Sequence, residues 1–127
     1  MTLSNDRTSE IEYPAATEHV LQAARAAWEW AGTHCYLEAQ TEHDGILGSL
    51  GVPERRRIEV VVSGTPSESV WSTLGDWRLA ATWRLCALVP LAAMGQAHEH
   101  LRGFDYDLQA WWMREDGTVA FGAIEIA

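Results

Sequence analysis

Two histidines stand two residues apart in His98-Glu99-His100-Leu101-Arg102. A helical zinc-protease motif needs histidines four residues apart, so that both reach one metal. Arg102 occupies that second place here. On a helix, His98 and His100 fall about 200° apart, on opposite faces. The simpler reading is a polar helix end with His100 near the carboxyl-end dipole. A second cluster holds His34, Cys35, Glu38, Glu42, His43 and Asp44. A helix would align His34, Glu38 and Glu42, and two carboxylates with a histidine can hold a metal or move a proton. The same spacing suits a solvated helix face, and the paired Glu–His signature of di-iron bundles does not recur on a second helix. Asp105 and Asp107 share a face on a strand, with Gln109 next along. That suits an acid–base pair, or an edge strand that uses charge against aggregation. Arg55-Arg56-Arg57 is the only basic run. It suits a bidentate grip on carboxylate or phosphate, or a solvated loop.

Other chemistries are excluded outright. All nine fixed positive charges are arginines, and the chain has no lysine. Schiff-base, pyridoxal-anchoring and phosphate-loop lysines are therefore ruled out. No glycine-rich phosphate loop, Gly-x-Ser-x-Gly elbow or Cys-x-x-Cys pair is present. The sequence assigns no catalytic residue, no metal ligand and no cofactor.

The elements that must position these residues belong to one domain. A chain of 127 residues, 47% apolar and 21% charged, has the composition of a globular fold. Seven tryptophans promise a large aromatic surface, buried or sticky. The net charge is −9, with −7 in residues 1–54 and −2 in residues 55–127. An acidic first half argues against unaided nucleic-acid binding and suits a solubilising surface or a basic protein partner. Cys35 and Cys86 lie in apolar stretches and are expected as buried free thiols. Met1 to Glu12 lacks the basic start and apolar run of a signal peptide. The apolar stretch Leu79 to Ala97 carries Arg84 and Pro90, so a core helix is expected there, not a membrane span. A cytoplasmic protein without membrane contact is the expectation.

Residues 1–13 read as a flexible arm, and residues 14–127 as a single α+β domain. A helix is expected from Pro14, because Val20, Ala24, Trp28, Ala31 and Cys35 recur at spacings of four and three. Gly32 would lie inside it. Gly48 to Pro53 reads as loop. Arg57 to Ser63 reads as one central strand, with Ile58, Val60 and Val62 on one face and Glu59 and Val61 on the other. Thr65-Pro66-Ser67-Glu68 forms a capping box. The helix after it is expected to end at Gly75, with a second helix from Asp76 kinked at Pro90 and stopping at Gly103. The tail reads as a β-hairpin, 105–113 and 118–126, around Arg114-Glu115-Asp116-Gly117. Pairing Met113 with Thr118 would place Tyr106, Leu108, Ala110, Trp112, Val119, Phe121 and Ala123 on the core face. The other face, with Trp111, Met113, Ile124 and Ile126 beside Asp105, Asp107 and Gln109, is unusually apolar for a solvated one, so either helices cover it too or it meets another chain. The expected architecture is thus N-terminal helices, one central strand, a kinked helical segment and a small antiparallel hairpin sheet.

One stretch, Ile58 through Val70-Trp71, Leu74-Gly-Asp-Trp77 and Trp83, resembles the opening of helix-grip ligand-binding and polyketide-cyclase domains. That resemblance implies a following run of strands and a long final helix. The 44 residues after Trp83 read instead as helix plus hairpin, and no residue role is carried over.

Three functional readings follow. The first is a small acidic protein-binding module of the inhibitor, immunity or escort kind. It would use the acidic cluster Glu38, Glu42 and Asp44, or the hairpin face with Trp111 and Met113, since aromatic anchors in an acidic rim make interface hot spots. The second is a small-molecule binder or small enzyme with a tryptophan-lined pocket. Arg84 would be one of its polar groups, because an arginine among apolar neighbours needs an acidic partner or an anionic ligand. The third is a structural homo-oligomer built on the two-sided apolar hairpin.

Overall fold

The structure, a computed structural model, describes residues 18–39, 46–62 and 66–127. The expected arm at 1–13 lies outside these residues, as do Glu42, Asp44, Thr65 and the side chain of Glu38. Three helices pack on a six-stranded mixed sheet. Helix α1 covers residues 18–30. Strands β1 (Tyr36–Ala39), β2 (Ile46–Val52) and β3 (Arg57–Val62) follow as an antiparallel meander. Helix α2 (Glu68–Ala80) crosses to β4 (Arg84–Pro90), and α3 (Met94–Leu101) crosses to β5 (Asp107–Met113). Both crossovers join parallel neighbours, and β6 (Val119–Ile126) returns antiparallel to β5. The sheet order is sequential, β1 to β6.

Successive crossovers of one hand, stepping in one direction, place their helices on the same face. Accordingly Val70, Trp71 and Leu74 of α2 and Met94, Ala97 and Leu101 of α3 share one core with Val60, Val62, Leu85, Ala87 and Leu108. Tyr106 is sealed in this core, where its hydroxyl donates to the Leu74 carbonyl at 2.9 Å. Burial pushes its phenol well above the ordinary range. Val20, Leu21 and Ala24 of α1 pack on the opposite face against Leu50, Val52, Val61, Leu88 and Trp111.

The α+β class holds, but the small antiparallel hairpin sheet understates what forms. The largest correction is the expected kinked helix over 76–101. Its middle, Arg84–Pro90, is the strand β4, buried on both faces from Leu85 to Val89. A strand covered on both sides loses its polar alternation, so its apolar run looks like helix. The expected loop at Gly48 to Pro53 belongs mostly to β2. The first helix stops earlier than its stripe implies. Thr33 N–H bonds the Trp28 carbonyl and Gly32 N–H bonds the Glu29 carbonyl, both at 2.9 Å. With Gly32 at φ 79°, this is a Schellman cap, and Cys35 lies beyond the helix.

Helix α2 runs through Gly75 where a break was expected. The Phe104 ring packs there so closely that an added Cβ would meet it at 3.1 Å, so Gly75 serves a close approach and not a stop. Ser67 takes the cap position, without a side-chain cap bond. The hairpin is offset from the expected register. Met113 faces Val119, Trp112 faces Ala120 and Trp111 faces Phe121. Slipping a strand by one residue exchanges its faces. Val119 and Phe121 therefore lie on the α1 side with Trp111, and Trp112 stays partly exposed.

Candidate functional site

The first residues of the three parallel strands bring charges together. Arg57 pairs in register with Arg84, and Cys86 with Asp107. Two neighbouring guanidinium groups on a covered face need carboxylates between them. Asp107 supplies one: Oδ2 accepts from Arg57 Nη1 at 3.0 Å and Oδ1 from Arg84 Nη2 at 2.6 Å. Asp105, at φ 59° in the turn before β5, supplies another. It meets Arg84 Nη1 at 2.6 Å and Arg78 of α2 at 3.4 Å. Glu59, buried on β3, accepts from Arg57 Nε at 3.3 Å and from the Trp28 indole N–H at 2.8 Å. Arg57, Arg78 and Arg84 thus balance Glu59, Asp105 and Asp107.

The charges fix the protonation states. Hydrogen bonds from Arg84 hold both the Asp107 and Asp105 carboxyls below the usual carboxylate range. The same bonds, to Asp107 first and Asp105 second, raise Arg84 further above its already high value. Two carboxylates that are both held ionised cannot divide acid and base roles. Asp107 is also not on an edge, since β5 lies between β4 and β6. The cluster clamps the strand starts. Beneath it, burial pushes the Cys86 thiol up to about 12, and burial also raises Cys35. Both thiols are free. Within the cluster, Arg57 Nη2 is the one buried side-chain polar atom without a partner among the described residues.

The other sequence candidates disperse. Arg84 lies on a strand, not in a helix, and finds two acidic partners within the chain. Trp111 is buried, and its indole donates to the Val62 carbonyl at 3.0 Å, so its ring is not on the surface of the free chain. Met113 is exposed at the start of the hairpin turn. His98 bonds Glu125 at 2.7 Å, while His100 stacks on Trp71 with ring centres 6.1 Å apart. The arginine run splits three ways: Arg55 lies 5.9 Å over the Trp28 ring, Arg56 turns left-handed at φ 48°, and Arg57 is buried.

What the fold assembles instead lies between α1 and the β5–β6 hairpin. A cleft of about 250 Å³ opens there, walled by Trp28 and Phe121 and floored by Leu88, Glu59 and Gln109. Beside it runs a second groove, lined by Ala23, Ala26 and Trp30 of α1 and by Gly117, Thr118 and Val119 of the hairpin. Ala27 and Phe121 line both. Trp30 is 94% exposed. Sequence reasoning found the Gln109 face of the hairpin too apolar for solvent but did not identify α1 as its cover, and the slipped register put Phe121 on the opposite face. The usable signal was the apolar company of that face, Val61 on β3 and Trp111 on β5, which demands a cover.

Comparison with known protein families, with curated proteins and with solved structures finds no match to this chain. Among the described residues, no helix is long and apolar enough to cross a membrane. The fold gives the class: among the described residues, an α+β arrangement with one helix on one face of a six-stranded mixed sheet and two on the other.

Proposed function

We propose that the chain is an acidic protein-binding module whose contact surface is the outer side of α1 together with the hairpin. The observation that carries this reading is Trp30. A tryptophan that is 94% exposed on an ordered helix leaves a large apolar ring in water. It sits in a groove with small alanines on one wall and the hairpin turn on the other, a shape that admits a partner's side chains. Glu115 and Asp116 lie in that turn, next to the lining residue Gly117. Bonds from Thr118 hold Asp116 below the usual carboxylate range, and Glu115 and Asp116 outweigh Arg114 in the turn, so the rim is net negative at neutral pH. An aromatic anchor within an acidic rim, on a chain of net charge −9, selects a basic protein partner.

The test starts from a protein retained from host extract at low salt, identified and then purified. Trp30→Ser should weaken its binding by about 30-fold, the loss of one hot spot, without lowering the melting temperature of the chain. Association should slow as salt rises. Equal binding by the variant, or retention of nothing but a second copy of the chain, would refute the reading.

A further inference from the structure

We propose that the cleft beside Trp28 binds a planar aromatic amine, as an activity separate from protein docking. Its two aromatic walls come from different elements, Trp28 from α1 and Phe121 from β6. The Trp28 ring is fixed by its bond to Glu59 at 2.8 Å, so the wall is set before a ligand arrives. An indole and a phenyl ring lining one cleft favour a flat apolar body.

The floor decides the polar edge of the ligand. Glu59 is a buried carboxylate that lines the cleft. A carboxylate offers about four acceptor positions, and Glu59 uses two, one of them in a long 3.3 Å contact with Arg57. Gln109 Nε2 donates to the Gly122 carbonyl at 2.9 Å. That acceptor settles the orientation of the amide and leaves Oε1 without a donor among the described residues. The polar floor therefore presents acceptors from Glu59 and Gln109 Oε1 beside one remaining N–H of Gln109, and the matching ligand edge is rich in N–H donors. An anionic ligand is disfavoured, because it would bring a second negative charge beside Glu59. Since the surrounding charge cluster is already balanced, a neutral amine suits the floor as well as a protonated one.

The experiment uses the free full-length chain, with no protein partner present, and 15N-labelled indoles. Trp28→Phe assigns the Trp28 indole signal. The probes are 2-aminobenzimidazole, which has a flat body and a donor edge, and benzoate, which has a flat body and an acceptor edge. At millimolar concentration, 2-aminobenzimidazole should shift the Trp28 signal saturably and benzoate should not. Ala27→Trp, which fills the cleft from an exposed helix position, should weaken the amine at least tenfold and leave the fold intact. Glu59→Gln should weaken it to a similar degree, and Trp30→Ser should have no effect. Equal shifts from both probes, or unchanged amine binding by Ala27→Trp, would overturn the proposal. Loss of amine binding in Trp30→Ser would also overturn it, by merging this cleft with the docking groove. Because no partner protein is involved, failure here leaves the docking reading standing, and the converse holds too.

Discussion

Asp107 decides more than any other single side chain, because it is the carboxylate shared by Arg57 and Arg84 at the starts of neighbouring strands. Removing its charge leaves two guanidinium groups facing each other on a covered face. Asp107→Asn should cost about 3 kcal/mol, the low end for breaking a buried pair, since this one is partly exposed. Urea unfolding at neutral pH checks this. The pH dependence follows from the direction of the shift. Arg84 holds the folded carboxyl of Asp107 below its usual range. Its contribution is therefore complete above the unfolded value, about pH 4, and is lost as pH falls through the lowered folded value. The wild type should lose stability over that acid window, and Asp107→Asn should lose less. A variant as acid-sensitive as the wild type would show that other carboxylates control the transition. Asp107 stood out in the sequence as half of an Asp105/Asp107 pair. Arg84 stood out as an arginine in need of an acidic partner and Arg57 as part of the basic run, but their pairing with Asp107 did not, because Arg57 and Arg84 lie 50 and 23 residues away.

Among elements, the hairpin was legible and β4 was not. The turn Arg114 to Gly117 announces itself through glycine and charge, and Arg114 N–H bonds the Thr118 carbonyl at 2.8 Å as a hairpin closure requires. Gly117 takes φ 86°, where an L side chain costs about 1 kcal/mol or more. Gly117→Ala should therefore destabilise the chain by about 1 kcal/mol in thermal or urea unfolding. An unchanged midpoint would mean the turn relaxes to another geometry. β4 gave no such signal. Its apolar residues alternate between two buried faces, so neither period nor polarity marks it, and alanine-rich flanks favour helix. The binding surface was half legible: the Gln109 face reads as too apolar for solvent, but nothing local in the sequence says that α1 is what covers it.

At the scale of the whole molecule, the sheet ends in the open edge of β6, eight residues with a single charge, Glu125, and no proline. Ile124 and Ile126 are exposed on it. Edges of this kind invite pairing with another chain. The wild type should show concentration-dependent association in sedimentation, and Ile126→Lys should reduce it while shifting unfolding by no more than about 0.5 kcal/mol, as expected for a surface change. Ideal monomer behaviour of the wild type at high concentration would remove the β6 edge as a contact. The sequence by itself determined the acidic charge, the exclusion of lysine chemistry, the α+β class and the presence of the first helix, β3, a helix after β3 and the last hairpin. These are short-range properties, set by periodicity, caps and turns. Only the tertiary structure decided that β3, β4 and β5 run parallel, that α1 roofs one face, and that Trp28 and Phe121, 93 residues apart, line one cleft with Glu59. Those contacts depend on which surfaces bury each other, and burial is a property of the assembled layers rather than of any segment.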